Sequence, residues 1–495
     1  MAKTGDELMR LKTNTFATHF ILYTPASPGL ASAYARRKRK AFIFCLGTRD
    51  GVRSSSSATI RRDVVVIGGG SSGTFAAVKL KRMGRSVAVV ERLAAFGGHT
   101  STYHVPESNV TIDYGVQGYG DFEVIRNMFA SFDIPLDQIP LSETGFGIPN
   151  YVDFRNGRTV PNFTFPMDLS QFEVQSDKYP YLSYTTRLPS RVPKDLLLPF
   201  GQFLAKYGLQ DSTYNMFYNL EGFGDLLSQT TLYVMKYLNQ EYLDALHPDY
   251  KGALVTSRRY NQQLYQRAQE LLGADALVDS WVSSATRNKS GVRLVVRTPS
   301  GSRTIIARKL LIAMPLVTSN MDAFGLDSTE RSIFSRFRAS GWYVGLVQAP
   351  GLPDRFAYQN TRPDTPYNLP QLPSLYQMSP TEVPGTYLVR YGSQERLSDD
   401  TVRSDMLRTF HRVRARVLGE QSARFEPPKL LAYASHYPFN LHVTPRDISG
   451  GFYNKLDDLQ GHRSTWYTGA ALISHGTGVL WNFTSHLVDR MLEED

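Results

Sequence analysis

The order of apolar and polar positions predicts a strand, a turn, a helix and a second strand near residue 60. Asp63 to Gly68 is a run of β-branched residues that ends in glycines, which predicts a buried strand. Ser72 to Met83 has apolar residues at helical spacing, and Ser86 to Val90 predicts the second strand. Such a βαβ unit belongs to a doubly wound parallel sheet, so the predicted fold class is α/β.

Two later segments extend this pattern. Three strands separated by turns are predicted between Ala276 and Pro315, after an amphipathic helix at 261–273. Near the C-terminus we predict a short strand, Gly469, a glycine-bearing loop and a helix from about Gly478. The intervening residues are rich in Tyr, Phe and Pro and predict a mixed α+β lobe. The predicted lobes are 61–145 with 255–320 and 450–495, and 146–254 with 321–449.

Composition limits the possible partners. The chain has 495 residues, of which 42% are hydrophobic and 20% charged, and no run of eighteen apolar residues predicts a membrane-spanning helix. The net charge is +10, but residues 1–62 hold twelve Lys and Arg against three acidic residues, a balance of +9. The rest of the chain is therefore close to neutral at +1, and we predict no nucleic-acid partner.

Residues 1–60 predict a disordered or targeting leader. Arg10 and Lys12 precede a short apolar patch, "FATHFILY", in a weak secretory pattern. The location is therefore left open between the cytoplasm and, if this leader is a signal, the lumen of the endomembrane system. Cys45, the single cysteine, lies in the leader, so the body is predicted to have no disulfide and no cysteine-based metal site; no metal is predicted.

The glycines of the βαβ turn have the spacing of a dinucleotide-binding site. Gly68 permits the tight turn, Gly70 lets a pyrophosphate approach the backbone, and Gly73 lets helix and strand pack closely. The second strand ends in Glu91, about twenty residues beyond the glycines, where a carboxylate can accept the ribose hydroxyls of an adenosine. The four positions together predict a dinucleotide whose adenosine ribose carries no phosphate.

The residues after Glu91 separate FAD from NAD. Gly97, Gly98 and His99 are followed by "IDYGVQGYGDF" from Ile112. This arrangement resembles the long dinucleotide-binding motif of the amine-oxidase type of flavoproteins. The resemblance implies FAD, held in a Rossmann-type lobe of the glutathione-reductase/amine-oxidase type. Paired glycines let a backbone lie against a ligand without a Cβ in the way.

The segments "SSGTFAAVKLK", "GGHT", "TTLYVMKYLNQEYL", "SHYPFNLHV", "GGFYNKLDDLQGHRSTWYTGA" and "LWNF" resemble the beta-cyclopiazonate dehydrogenase family. The resemblance covers roughly residues 61–495. It implies a fungal flavoenzyme of secondary metabolism within the amine oxidase superfamily. Members dehydrogenate lipophilic polyketide, terpenoid or indole scaffolds, in some cases with ring closure.

The motif and the resemblance together imply a set of FAD-binding residues. By similarity, the backbone at Val282 meets the adenine, and the C-terminal helix directs its dipole at the flavin. No cysteine lies near the C-terminal motif, so the FAD is predicted to be non-covalent. The predicted residues are Gly68, Gly70, Ser72, Gly73, Glu91, Arg92, Gly97, Gly98, His99, Gly115, Val116, Val282, Gly469, Gly478 and Val479.

The chain departs from amine oxidases at two further points. Ala470 stands where those enzymes commonly carry an acid after the C-terminal glycine. The strand from Ser340, "SGWYVGLVQ", has no lysine where many amine oxidases place one beside the flavin. Amine oxidation is therefore not predicted.

Dehydrogenation needs a hydride acceptor, and a base where a proton also leaves. His436, His442 and His475 lie in segments expected near the flavin and are the candidate catalytic residues. Three hypotheses stay open. The first is a dehydrogenase or oxidase of a lipophilic metabolite, with dioxygen as one candidate acceptor. The others are a redox-neutral flavin isomerase of unsaturated lipids and a non-catalytic FAD-bound accessory protein.

Overall fold

Two seven-stranded sheets organise the chain. The computed structural model describes residues 59–140, 147–246 and 252–493. The predicted leader and its targeting pattern lie outside the described residues, except that Thr59 and Ile60 already belong to the first strand. That strand pairs with Thr304 and Ile305, which is why it begins before the predicted Asp63.

The described strands, in chain order, are β1 Thr59–Ile67, β2 Val87–Val90, β3 Thr102–His104, β4 Thr111–Asp113, β5 Leu136–Ile139, β6 Ile148–Asp153, β7 Arg158–Thr159, β8 Ala253–Thr256, β9 Ala276–Leu277, β10 Trp281–Asn288, β11 Gly291–Thr298, β12 Gly301–Ile312, β13 Arg338–Ala339, β14 Gly341–Gln348, β15 Phe356–Asn360, β16 Ser374–Pro380, β17 Thr386–Ser393, β18 Lys429–Ser435, β19 Leu441–His442 and β20 Thr465–Tyr467.

The described α-helices are α1 Ser71–Arg82, α2 Glu123–Ala130, α3 Ser170–Ser176, α4 Phe200–Tyr207, α5 Thr213–Asn219, α6 Thr231–Tyr237, α7 Gln240–Leu246, α8 Gln262–Leu272, α9 Thr318–Met321, α10 Ser328–Phe334, α11 Asp399–Leu418, α12 Pro445–Ser449, α13 Phe452–Asp457 and α14 Thr477–Glu493. Within these ranges no helix is both long and apolar enough to cross a membrane.

The first sheet is the predicted doubly wound one. Its order is β10-β11-β12-β1-β2-β9, and β20 pairs with the last residues of β12. The strand β1 is covered on both faces, as expected for a parallel strand. Val64 and Val66 pack toward α1, α8 and α14, whereas Val65 and Ile67 face the opposite core. The parallel pairing of β1 with β2 places their carboxyl ends at one edge of the sheet.

The second sheet has the order β18-β14-β17-β16-β15-β6-β7 and is antiparallel except for the β15–β6 pair. The helix α11 covers one face, where Val402, Met406, Phe410 and Val413 are buried. The helices predicted at 72–83 and 261–273 and the strands predicted between 276 and 315 are confirmed within a few residues. The lobe boundaries themselves stay a prediction.

Candidate active site

The turn between β1 and α1 is shaped by two glycines. Gly68 has φ +103°, a conformation that L side chains rarely adopt. A Cβ on Gly73 would lie 1.9 Å from the Gly68 carbonyl oxygen, so the helix can pack on the turn only because residue 73 has no side chain. The turn therefore directs the N-terminus of α1 at the sheet edge.

The N-terminus of α1 faces a space lined by backbone. Its N-cap, Gly70, provides no side-chain cap, and its first turn has no acidic residue, so free N–H groups and the positive dipole end are available. A Cβ on Gly98 would lie 2.9 Å from the Gly70 Cα, so the two glycine segments face each other without side chains. Ser72 is buried within the helix. This cradle fits a pyrophosphate.

Glu91 lies directly after β2 and is fixed by the backbone. Its Oε2 accepts a hydrogen bond from the Gly69 N–H at 2.6 Å, and its Oε1 accepts one from the Leu93 N–H at 2.7 Å. The Ser280 N–H donates to the Glu91 carbonyl oxygen at 2.9 Å, which brings the start of β10 and the buried Val282 to the same edge. Arg92 is exposed. The carboxylate is therefore held where an adenosine ribose would lie.

Glu91→Ala is expected to raise the Kd for FAD about 10- to 100-fold, because a hydrogen bond to a charged group contributes about 1.5–3 kcal/mol. The measurement is titration of the apoprotein with FAD, followed by quenching of flavin fluorescence. Glu270→Ala, at a carboxylate that is 68% exposed, is the matched control. An unchanged Kd in a folded Glu91→Ala protein would contradict the assignment.

The segment after Gly98 places His99 beside the cradle. The Gly97 N–H donates to the Gly69 carbonyl oxygen at 2.9 Å, and the Val116 N–H donates to the His99 carbonyl oxygen at 3.3 Å. A Cβ on Gly115 would lie 2.0 Å from that same oxygen. Residues 97–99 and 115–116 are therefore packed backbone to backbone.

A cluster of five rings forms next to this segment; we call His99, His436, His475, Phe439 and Trp342 the histidine cluster. The ring centroids of His99 and His436 are 4.4 Å apart, those of Phe439 and His475 are 4.3 Å apart, and those of Trp342 and His436 are 5.2 Å apart. His436 Nε2 and Trp342 Nε1 are buried without a hydrogen-bond partner among the described residues. His436 and His475, two of the three predicted catalytic histidines, therefore lie in one cluster with His99, which was predicted to bind the cofactor.

Burial keeps the three histidines of this cluster uncharged. It lowers the pKa of His99 to about 4 and, together with the neighbouring His99, the pKa of His475 to about 3. Burial, again with a smaller effect of His99, also lowers the pKa of His436 well below its usual value. Neutral imidazoles with such pKa values are weak bases at neutral pH, so they suit packing and hydrogen bonding better than the predicted proton transfer.

His442 does not join the histidine cluster. Its Nδ1 faces the Asn440 carbonyl oxygen at 3.0 Å, and its ring lies 6.0 Å from that of Tyr233. β18 ends at Ser435 and β19 begins at Leu441, so the two histidines belong to different segments. The catalytic role expected for His442 stays a prediction.

The C-terminal loop and α14 complete the cradle. Gly469 has φ +125°, and Gly478 and Val479 lie in the first turn of α14, which contains no acidic residue. The Trp481 Nε1–H donates to Ser71 Oγ at 2.9 Å. The N-terminal part of α14 is therefore joined to the first residue of α1 at the nucleotide turn.

Lys236, at the end of α6, is a basic residue near this site that the sequence patterns did not single out. It is 5% exposed, its Nζ donates to the Leu472 carbonyl oxygen at 2.9 Å, and it lies 4.4 Å from the centre of the Tyr453 ring. Lys236 and His475 line one cavity of about 20 Å³, enough for about one water molecule. Burial lowers the pKa of Lys236 to about 7. Its one signal was a lysine inside the apolar helix "TLYVMKY".

Lys236→Met is expected to change how stability depends on pH. Between pH 7 and 10.5 the unfolded chain binds a proton that native Lys236 does not, so the free energy of unfolding rises with pH in that window. The free energy of unfolding of the wild type minus that of the variant should therefore increase by about 1.4 kcal/mol per pH unit. Urea unfolding at several pH values within the window measures it, with the exposed Lys455→Met as control. A difference that is independent of pH would contradict the result.

Among the described residues, one cluster has the donor types of a metal site. Ligand atoms of Asp327, Glu330 and His462 lie within 4.8 Å of one another. However, both Glu330 oxygens accept hydrogen bonds from Arg287, at 2.7 and 2.8 Å, and Arg463 NH1 lies 3.2 Å from Glu330 Oε2. The cluster is therefore an ion-pair network.

Comparisons with known proteins agree with this geometry. Residues 66–132 match the family described as an NAD(P)-binding Rossmann-like domain. The FAD-dependent oxidoreductase pigF of Monascus ruber is 36% identical over 432 residues, which are 87% of this chain and 91% of that protein. The beta-cyclopiazonate dehydrogenase of Aspergillus oryzae is 31% identical over 442 residues, 88% of this chain and 93% of that protein.

Solved structures show the same fold. A CLA-producing fatty acid isomerase from P. acnes superposes with a TM-score of 0.66 at 19% identity, over 87% of this chain and 98% of its own. Cyclohexylamine oxidase from Brevibacterium oxydans gives a TM-score of 0.60 at 18% identity, over 87% and 99%.

The sheet order, the backbone-lined cradle and these relatives define an FAD-dependent oxidoreductase with the fold of the flavin amine oxidases. The residues fit FAD, because the facing glycines leave space for a pyrophosphate and the N-terminus of α1 offers free N–H groups. Within that class, the chain belongs to the beta-cyclopiazonate dehydrogenase family.

Proposed function

We propose that this chain is a dehydrogenase that oxidises a lipophilic secondary metabolite, with ring closure where a nucleophilic group of the substrate can attack the oxidised carbon. The histidine cluster carries the proposal. It presents aromatic rings and uncharged imidazoles beside the cofactor segment, which suits a flat substrate of low charge. The family membership supports the same reaction class.

When bound, FAD accepts the hydride that leaves the substrate. The amides at Gly70 and Gly98 would hold its pyrophosphate, and Glu91 would hold its adenosine ribose. No cysteine lies near the C-terminal loop, so we propose that the FAD is non-covalent. Dioxygen is the proposed electron acceptor.

The proton that leaves the substrate needs a base with a pKa near neutral pH. Among the described residues around the cavity beside His475, Lys236 meets this requirement, whereas the pKa of His475 lies near 3. We therefore assign proton acceptance to Lys236, and we assign His436 and His475 to the wall of the substrate site.

The visible spectrum of the purified protein, before and after acid precipitation, tests the cofactor. A flavin spectrum that leaves with the supernatant supports non-covalent FAD, and flavin retained in the pellet contradicts it. Anaerobic mixing with a panel of lipophilic polyketide, terpenoid and indole metabolites then tests the reaction. Bleaching by one compound, reversed by air, supports the proposal.

Two results would replace the proposed dehydrogenase function with another function. Product formation without net bleaching or acceptor consumption would indicate a redox-neutral isomerase. Bound flavin that no compound in the panel reduces or converts would indicate a non-catalytic accessory protein.

A further inference from the structure

A second group of polar side chains adjoins the histidine cluster; we call Gln117, Glu221, Gln377 and Arg390 the arginine site. Arg390 NH1 lies 3.2 Å from Glu221 Oε2, and Arg390 NH2 donates to Gln117 Oε1. Gln377 Nε2 donates to the other Glu221 oxygen at 2.7 Å. The four residues come from three distant parts of the chain, so tertiary packing assembles the group.

Two residues of the arginine site are adjacent in sequence to residues that contact the proposed substrate site. Gln117 directly follows Val116, which is hydrogen-bonded to His99. Glu221 directly precedes Gly222, where an added Cβ would lie 2.6 Å from the Phe439 ring. Gln117 and Glu221, the two partners of Arg390, are therefore each one position away in sequence from a residue that contacts the histidine cluster.

Arg390 has donors to spare. A guanidinium offers five N–H groups, and in the described part of the chain two acceptors bond it, Glu221 and Gln117. The Glu221 contact is a single bond at 3.2 Å rather than a bidentate one. The Arg390 side chain is 23% exposed, whereas that of Glu221 is 7% exposed. The Arg390 side chain is therefore partly accessible, whereas the side chain of Glu221 is buried.

We propose that Arg390 binds an acidic oxygen group of the substrate, a carboxylate or an ionised enol, while Glu221 and Gln117 hold the guanidinium in place. The inference rests on the proposed function, because it takes the histidine cluster as the place of reaction. It narrows the substrate class to a lipophilic scaffold with one acidic group. Glu221 balances the charge when no ligand is bound, and burial raises its pKa despite the Arg390 charge.

The test compares two flat ligands of the same shape, 1-naphthoate and 1-naphthamide. Binding to the FAD-loaded protein is measured by calorimetry and by the change in the visible flavin spectrum. The wild type should bind the carboxylate about 10- to 100-fold more tightly than the amide, as expected for hydrogen bonds to a charged group. Equal affinities, or no measurable affinity for the carboxylate, overturn the proposal.

Variants of Arg390 test whether the preference for the carboxylate arises at this residue. Arg390→Met should abolish the preference, and Arg390→Lys should keep part of it, because lysine retains the charge without the planar fork. Arg408→Met, at a side chain that is 61% exposed, should leave the preference unchanged. A preference that persists in folded Arg390→Met overturns the proposal. If Arg390→Met does not fold, Arg390→Gln and the wild-type comparison decide.

The two proposals can fail separately. If the wild type prefers the carboxylate but no metabolite reduces its flavin, the proposed dehydrogenase function is wrong and the proposal for the arginine site stands. If a metabolite reduces the flavin of the wild type but the protein binds both naphthalenes equally, only the proposal for the arginine site is wrong.

Discussion

Gly70→Val should yield a folded protein without FAD. The Cβ of residue 70 would lie 3.5 Å from the Gly98 Cα, an ordinary contact, so the protein itself tolerates the first carbon. The two methyl groups beyond it would fill the cradle and block the N–H groups at the start of α1. We expect FAD affinity to fall on the order of 1000-fold, from overpacking and lost hydrogen bonds together.

The measurement is the ratio of flavin to protein absorbance after purification and after incubation with excess FAD. Wild-type apoprotein is the control, and its circular dichroism and urea midpoint should match those of the variant. Gly73→Ala provides the contrast, because its Cβ would overlap the Gly68 carbonyl oxygen and should prevent folding. A yellow Gly70→Val protein with stoichiometric FAD would overturn the cradle assignment.

Arg287→Met should lower the free energy of unfolding by about 3–5 kcal/mol, the usual effect of removing one partner of a buried ion pair. Both Arg287 and Glu330 have fully buried side chains. Burial alone would raise the pKa of the Glu330 carboxyl, but the hydrogen bonds and charge of Arg287, together with hydrogen bonds from the Asp327 N–H and Tyr467, outweigh burial and hold that pKa below its usual value. Arg287 also donates to Thr465, so the pair ties β10 to α10 and β20.

Urea unfolding at pH 7 measures this change. Arg267→Met removes a guanidinium from an exposed pair, 53% and 68% exposed, and should alter stability by less than about 1 kcal/mol. The double variant Arg287→Met/Glu330→Met should recover much of the loss, because it removes both partners of the buried pair. Equal effects of Arg287→Met and Arg267→Met would contradict the role of burial.

The cofactor half of the site was predictable because its signals are local. Gly68, Gly70 and Gly73 lie within one turn of chain, Glu91 follows directly after its strand, and the helix predicted from Gly478 begins at Thr477. Such features depend on backbone conformation and on neighbours close in sequence.

The substrate half was much less predictable, because it depends on contacts between distant residues. Lys236 meets a carbonyl 236 positions away, and Glu221 meets Gln377 across 156 positions. A lysine in an apolar helix ordinarily extends its amine to solvent, so the pattern alone did not indicate burial. The low pKa values of His436 and His475 likewise result from burial in the folded protein.

The hydrogen bond between Trp481 and Ser71 spans 410 residues, and the ring of Trp481 stacks on Phe75 at 5.2 Å. During synthesis the glycine turn is made early, but the helix that covers it leaves the ribosome several hundred residues later. Until then Phe75 is without its stacking partner, and the nucleotide turn is incomplete. Closing so long a loop is slow, so we expect the nucleotide turn to be completed, and to bind FAD, only after α14 has been synthesised.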